Sequence, residues 1–198
     1  MAIDAGLVKD LREKTGAGML DCQKALVQTN GDVNRAMDLL REKGLASAQK
    51  KAGRATNEGL VISYIHAGGK LGVLCEINCE TDFVAKTNDF QELGRDLAMH
   101  VAAAAPQFVR REDVPEDLVG KEKSIFQAQA RESGKPPAVI EKIVAGRIEK
   151  FYSDICLLEQ PFVKDPGTTI KDLLSQKIAK LGENISVRRF TRYRLGEE

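Results

Sequence analysis

The hydrophobic periodicity of this chain changes near Glu58, and this change constrains the fold more than any other feature of the sequence. Within residues 4–43, three short segments repeat apolar residues at the spacing of amphipathic helices. From Glu58 the apolar residues alternate, and a Gly68-Gly69 pair separates the first alternating run from a second one that ends at Cys79. We therefore predict an α+β fold, in which a small N-terminal three-helix bundle precedes a core built on an antiparallel sheet.

The ends of the first and third helices are predicted from side chains that cap helices. Asp4 and Asp32 are suitable N-caps, and Gly44 is expected to end the third helix. Residues 43–54 then carry four basic residues and no acidic one. This stretch is either a solvated linker, a fraying helix or a basic contact for an acidic partner surface. The N-terminal module and this linker are assigned to residues 1–54.

The remainder, residues 55–198, is predicted to be one α+β core domain. Its prolines and glycines divide the apolar runs into helices and strands. A helical hairpin is expected at about residues 115–150, with a proline-containing tip. The other elements expected after the first hairpin are a helix from Asn88 to Pro106, a strand over Ile155–Val163, a helix over Ile170–Leu181 and a strand over Ile185–Leu195 with a bulge.

The charge balance and the lack of long apolar runs limit the classes of partner. The chain of 198 residues has 30 basic and 29 acidic residues, so no global field attracts nucleic acid or an acidic membrane. No apolar run approaches the ~20 residues of a membrane span. The first residues lack the basic and apolar regions of a secretory signal. We expect a cytoplasmic protein with no membrane partner.

No sequence motif indicates an enzyme or a resident cofactor. The chain has no phosphate-binding loop of the Gly-x-x-x-x-Gly-Lys type, no Gly-x-Ser-x-Gly and no His-Glu-x-x-His. Of its two histidines, His66 lies at a predicted turn and His100 late in an apolar helix, where a structural role or a surface position is expected. Nothing places a nucleophile beside either, so we predict no catalytic residues.

The four cysteines are predicted to be core residues and not metal ligands. The close pair, Cys75 and Cys79, lies four residues apart on a predicted strand, which separates the two backbones by about 13 Å. One zinc ion holds its thiolates at ~2.3 Å and cannot bridge that separation. Cys22 and Cys156 are isolated in sequence. We expect no metal site.

The segment Glu80–Lys86 joins the second strand to the next helix and carries an unusual aromatic residue. Phe83 lies outside both the strand alternation and the apolar stripe that begins at Phe90. It is either a staple that packs the helix entry onto the core or an exposed aromatic anchor beside a charge. Spacing alone does not choose between these two interpretations.

Basic residues also cluster near the C-terminus, where Phe190 and Tyr193 lie among them. This pattern suits either a nucleic-acid surface or a solvated strand face, and the near-neutral total charge favours the solvated face. We therefore expect no direct contact with nucleic acid. The residues concerned are Arg188, Arg189, Arg192 and Arg194.

Two long motifs resemble the signatures of the bacterial elongation factor Ts family, in the family's order. Leu7–Leu26 reads LVKDLREKTGAGMLDCQKAL, and Asn78–Lys86 reads NCETDFVAK. Gly134–Lys150 and Gln160–Val163 are also similar to family stretches. The resemblance implies a nucleotide-exchange factor that binds elongation factor Tu, with GDP or nucleotide-free, and disturbs its magnesium and phosphate-loop site. It also implies that the N-terminal bundle is ubiquitin-associated-like and that the core is of the dimerisation type.

The resemblance also implies which residues contact the partner. The family's Thr-Asp-Phe-Val segment, which dislocates the partner's magnesium ion, corresponds to Thr81, Asp82, Phe83 and Val84. The N-terminal contacts correspond to Arg12, Met19 and Leu20, with Lys51 as a weaker candidate. The segment around His66 resembles the turn by which longer members reach the partner's distal domain.

The chain resembles a short form with a single core repeat, whereas longer members carry a duplicated core. A homodimer can supply the missing half, because an exposed sheet edge or face favours self-pairing. The alternative to an exchange factor is a non-catalytic helical-bundle adaptor that binds a protein or RNA. The Asp82-Phe83 segment discriminates the two, because an adaptor does not need it.

Overall fold

The computed structural model describes residues 3–132 and 134–197 and confirms the α+β fold class. The prediction that the chain has no secretory signal concerns its first residues, and two of these, Met1 and Ala2, lie outside the described residues. No helix in the described part of the chain is long and apolar enough to span a membrane. The helices are α1 (Ala5–Thr15), α2 (Met19–Gln28), α3 (Val33–Lys51), α4 (Asp82–Ala85), α5 (Asn88–Ala104), α6 (Glu116–Glu132), α7 (Pro137–Ile155) and α8 (Ile170–Leu181). The strands are β1 (Glu58–Ile65), β2 (Leu71–Cys79), β3 (Pro161–Phe162), β4 (Asp165–Thr169) and β5 (Ile185–Arg194).

The chain divides into two compact units, each assembled from separate stretches. The first comprises the chain through Val61 together with Glu76–Gly94 and Asp172–Val187. The second comprises Ile62–Cys75, Arg95–Lys171 and the chain from Arg188 onward. The division into residues 1–54 and 55–198 stays a prediction.

In the first unit, α1, α2 and α3 form the expected three-helix bundle. Asp4 caps α1 by accepting a hydrogen bond from the Gly6 amide at 2.9 Å, and Asp32 caps α3 by accepting one from Arg35 at 3.1 Å. Both predicted N-caps are confirmed. Six buried residues form the bundle core: Val8, Leu11, Cys22, Ala25, Leu26 and Ala36.

The prediction that Gly44 ends the third helix is wrong, because α3 continues to Lys51. A β-carbon at position 44 would lie 3.5 Å from the β-carbon of Ala179 in α8. Position 44 therefore lies inside a helix and faces α8, at a distance where a β-carbon would make an ordinary van der Waals contact. Most of the predicted basic linker is consequently the last two turns of α3.

Strands β1 and β2 form the predicted hairpin. Gly68 and Gly69 both have positive φ, at 91° and 69°, which the tight turn requires. The three-stranded sheet has the order β1-β2-β5. Along β2, Val73, Cys75, Ile77 and Cys79 are buried and the residues between them are not. Both cysteines are core residues, as predicted.

Along strand β5, the buried positions move from one face of the strand to the other. Ile185 and Val187 are buried, Arg188 and Arg189 are both exposed, and Phe190 is the next residue that is partly buried. The alternation thus shifts by one residue, which is the effect expected of a bulge.

In the second unit, α6 and α7 pack as the predicted helical hairpin. Its base rests on a small core around Val114, Ile155 and Cys156. The Arg111 guanidinium bridges the carboxylates of Glu149 and Glu159 beside that core.

The predicted strand over residues 155–163 is largely wrong. Helix α7 continues to Ile155, a 3₁₀ turn follows at Leu157–Glu159, and the strand is reduced to Pro161–Phe162, paired antiparallel with β4. The apolar run resembles a strand because its residues are buried, but Pro161 has no amide hydrogen and limits the pairing.

Candidate functional site

The Phe83 turn, defined as Glu80–Lys86, links the end of β2 to α5. Helix α4 is a single turn within it, and Thr81 caps that turn by accepting a hydrogen bond from the Val84 amide at 3.4 Å. The Phe83 side chain is 79% exposed, whereas Val84 and Ala85 are buried beneath it. The staple interpretation of Phe83 is therefore wrong, and the ring is an exposed aromatic residue.

The geometry of one helical turn explains this arrangement. Neighbouring residues of a helix point in directions about 100° apart, so burial of Val84 and Ala85 turns Phe83 outward. The nearby Phe90 is fully buried at the start of α5. A large apolar ring that the free chain leaves in water is surface available to a partner, and aromatic residues dominate interface energetics.

A carboxylate lies directly beside the ring. The Lys86 ammonium donates to an Asp82 carboxylate oxygen at 2.6 Å and holds the pKa of Asp82 below its usual range. Asp82 is therefore ionised at neutral pH. Both side chains are largely in water, so the pair contributes little to stability and Asp82 can exchange Lys86 for another cationic partner.

Glu183 holds the start of the Phe83 turn from the segment between α8 and β5. Its carboxylate accepts hydrogen bonds from the amides of Glu80 and Thr81 and from the Thr81 hydroxyl. The thiol of Cys79 donates to the Thr81 carbonyl at 3.1 Å. Burial, with the negative charge of Glu183, raises the pKa of Cys79 to about 11, so this thiol is protonated at neutral pH.

Glu183 is not among the site residues predicted from the sequence. No local pattern marks this residue, because its contacts with the turn join positions about a hundred residues apart. The only nearby signal is Gly182, which ends α8 with a φ of 80° and directs the chain toward the turn.

The N-terminal candidates lie on the helical bundle. Met19 and Leu20 begin α2 and are both exposed, so each presents apolar surface to water. Arg12 is exposed on α1. The Lys51 ammonium donates to the Ser47 hydroxyl at 3.2 Å near the end of α3. All four belong to the first unit, as does Phe83.

The two histidines have different environments. His66 is exposed at the end of β1 in the second unit, with its Nδ1 atom 3.0 Å from the Tyr64 hydroxyl. His100 is fully buried: Nδ1 accepts from the Val163 amide at 3.3 Å, and Nε2 lies 3.0 Å from Gln160 Oε1. Burial lowers the pKa of His100, so this histidine is neutral and structural at pH 7.

The C-terminal arginines are partly engaged within the second unit. Arg192 donates to the Ala102 carbonyl at 3.2 Å and to Glu197 at 2.5 Å, and Arg194 donates to Glu197 at 3.3 Å. Tyr193 between them is exposed. This is the geometry of a partly neutralised strand face.

The described residues offer binding surfaces, and no group of three or more His, Cys, Asp or Glu among them could hold a metal ion. The most distinctive of these surfaces is the exposed ring of Phe83 with the carboxylate of Asp82, held on a short supported turn. An aromatic ring and a carboxylate can displace or reshape a partner's loop without bond chemistry of their own.

Residues 21–197 match the family model described as Elongation factor TS. Full-length relatives carry the name elongation factor Ts. The protein from Carboxydothermus hydrogenoformans is 60% identical over 98% of this chain and 90% of its own. The Geobacter sulfurreducens protein is 60% identical over 100% of this chain and 91% of its own, and the Fervidobacterium nodosum protein is 59% identical over 100% of both.

Proposed function

Since the chain belongs to the elongation factor Ts family and is therefore a translation elongation factor, we propose that it is the guanine-nucleotide exchange factor of elongation factor Tu. It binds the GDP-bound form, disturbs the magnesium and phosphate-loop site, and promotes release of GDP so that GTP can enter. The observation that carries this proposal is the exposed ring of Phe83 on a turn whose next two residues, Val84 and Ala85, are buried. Its place of action is the cytoplasm.

Phe83 acts as a wedge in this mechanism. A GTPase holds GDP through phosphate-loop amides and a magnesium ion that bridges protein and phosphate oxygens. Phe83 does not need to touch the nucleotide, because it is enough that the ring binds a partner conformation in which the loop and the ion are misplaced. The ionised Asp82 contacts the same region, while Thr81 and Val84 hold the turn in shape.

The thermodynamics of exchange set the limits of this action. If the chain weakens the affinity for GDP, then GDP weakens the affinity for the chain by the same factor. The chain therefore speeds exchange and leaves the overall equilibrium between GDP and GTP unchanged. No bond is made or broken by its residues, so the proposed activity is not enzymatic and requires no cofactor.

The N-terminal module supplies a second contact with the same partner. Met19 and Leu20 present exposed apolar surface, and Arg12 and Lys51 add positive charge. Apolar anchors with a basic surround suit a partner helix with an apolar stripe and acidic flanks. His66 is the proposed contact with the distal domain of elongation factor Tu.

A second copy of this chain is also a proposed partner. In the second unit, the sheet strands expose the apolar side chains of Ile65 and Leu74 and the ring of Tyr193 to water, and Leu195 is exposed just after β5. Exposed apolar surface of this kind is unusual on a monomer. In a two-fold dimer, the same surface of each copy packs against that of the other and is buried. We expect a mass of two chains by analytical ultracentrifugation at micromolar concentration, and a monomeric mass there would contradict the dimer.

The exchange activity is tested by the release of fluorescent GDP from elongation factor Tu in stopped flow. A small amount of the chain, relative to elongation factor Tu, should accelerate release of the whole GDP pool, because an exchange factor turns over. If the chain binds elongation factor Tu but release keeps its intrinsic rate, the exchange proposal fails and the adaptor interpretation takes its place.

A further inference from the structure

The Phe83 turn needs external support to keep its shape. Helices shorter than ~12 residues are marginal in water, and α4 has only four residues. Burial of the small residues Val84 and Ala85 anchors one side of the turn, but the ring of Phe83 contributes little because it is exposed. The turn therefore depends on polar contacts for its conformation.

Glu183 provides three of these contacts at the start of the turn. Its Oε2 atom accepts from the Glu80 amide at 3.2 Å and the Thr81 amide at 3.0 Å, and its Oε1 atom accepts from the Thr81 hydroxyl at 2.7 Å. One carboxylate thus engages three donors that lie two and three residues before Phe83. Hydrogen bonds to an ionised acceptor are roughly twice as strong as neutral ones.

The contact is reciprocal. The Oε1 atom of Glu80 accepts a hydrogen bond from the amide of Asn184, the residue after Glu183, at 2.6 Å. The same atom also accepts one from the Arg54 guanidinium at 3.4 Å. This acceptance, above all from Asn184, holds the pKa of Glu80 below its usual range, so Glu80 stays ionised at neutral pH. Two segments distant in sequence therefore fix each other through both carboxylates.

The same segment also holds the chain where it leaves the N-terminal bundle. The Asn184 side-chain amide donates to the Ala52 carbonyl at 3.4 Å and to the Arg54 carbonyl at 2.8 Å. Both carbonyls lie just beyond the end of α3. The segment Glu183–Asn184 consequently contacts both the turn that carries Phe83 and the exit from the helical module.

We propose that Glu183 is a positioning residue of the exchange reaction, which holds the Phe83 turn in the conformation that engages the nucleotide domain of elongation factor Tu. This proposal rests on the exchange function proposed above. A ring that is already ordered reaches its site without a further ordering cost, whereas a loose turn is competent for only a fraction of the time. Because the N-terminal module supplies its own contact, loosening the turn should lower the maximal rate of exchange more than the affinity.

The test compares five variants in stopped-flow release of fluorescent GDP from elongation factor Tu, over a range of chain concentrations. Glu183→Ala removes all three accepted hydrogen bonds, and Glu183→Gln retains an acceptor without the charge. Glu92→Ala is the matched control, because Glu92 is an exposed carboxylate on α5 in the same unit. Phe83→Ala, alone and combined with Glu183→Ala, determines whether the two residues act together.

The expected result is a maximal rate that falls by about tenfold or more in Glu183→Ala, with a half-saturating concentration that stays within about threefold. Glu183→Gln should be intermediate and Glu92→Ala unchanged. Adding Glu183→Ala to Phe83→Ala should cause no further loss. A merely structural role would instead reduce the amount of folded chain, raise the half-saturating concentration and leave the maximal rate unchanged, which would overturn the proposal.

A second readout is independent of exchange. The chain contains no tryptophan, so Phe83→Trp introduces a single fluorophore at an exposed position of the turn. In time-resolved anisotropy, Glu183→Ala or Glu183→Gln in this background should increase the amplitude of nanosecond depolarisation, and Glu92→Ala should not. An unchanged amplitude would overturn the proposal. If the wild-type chain fails to accelerate GDP release while this arm gives the expected change, the exchange function fails and Glu183 retains only its role in ordering the turn.

Discussion

Replacing Phe83 by alanine should barely change the free energy of unfolding, although the residue removed is a large aromatic one. A fully buried phenylalanine removes about 150–250 Å² from water. Phe83 is 79% exposed. Only about 40 Å² of its surface is therefore buried, which at ~25 cal/mol/Å² corresponds to at most about 1 kcal/mol. The better helix propensity of alanine offsets about half of that.

Phe90 is the matched control for this prediction, because it is the same residue type seven positions further along the chain and is fully buried. Phe90→Ala should lower the free energy of unfolding by about 3–5 kcal/mol, since it leaves a cavity in the core. Urea denaturation of both variants, followed by circular dichroism, measures the two changes under the same conditions. A loss above about 2 kcal/mol for Phe83→Ala would refute the exposed position of the ring and return Phe83 to the role of a staple.

The remaining predictions concern pH, packing and backbone conformation. The unfolded chain protonates His100 near pH 6.5, and burial lowers the pKa in the folded chain, so the free energy of unfolding should fall as the pH drops below about 6.5. In urea titrations His100→Gln should reduce that decline, and an unchanged decline would contradict the prediction. Gly44→Ala should raise the free energy of unfolding by about 0.5–1 kcal/mol in the same assay, because it favours the helix and its β-carbon makes an ordinary contact with Ala179; a loss would contradict this. Gly59→Ala should prevent stable folding, seen as lost circular dichroism, because its β-carbon would clash with the Ile77 carbonyl oxygen; native ellipticity would contradict the close approach.

Features determined by neighbouring residues were predictable from the sequence. The caps at Asp4 and Asp32 are local hydrogen bonds over two and three residues, and the turn at Gly68-Gly69 depends on the backbone freedom of those two residues. Such features depend on hydrogen bonds and backbone preferences of residues a few positions apart, which can be read from a single sequence.

Features determined by packing were not predictable in the same way. Glycine often ends a helix, but α3 continues past Gly44, and position 44 faces Ala179, which lies 135 residues later in the chain. The apolar run that begins at Ile155 is as hydrophobic as a buried strand, but it folds mostly as the end of α7 and a 3₁₀ turn. In both cases the local pattern is real, and a distant contact decides the structure.

The candidate site combines both situations. Phe83 stands out in the sequence because it lies outside both the strand alternation and the apolar stripe that begins at Phe90, but spacing alone does not decide its exposure. The burial of Val84 and Ala85 determines which side of the turn faces water. Glu183 carried no signal, because a lone acidic residue after a helix has many ordinary roles. Only the fold places its carboxylate against the amides of Glu80 and Thr81.

The most direct test of the central claim is the rate of fluorescent GDP release from elongation factor Tu at saturating chain, for the wild type and for Phe83→Ala. The proposed mechanism predicts strong acceleration by the wild type and its loss in the variant, which by the stability prediction remains folded. Equal acceleration by both chains would contradict the wedge and assign exchange to the N-terminal module, and no acceleration by either would contradict the exchange function itself.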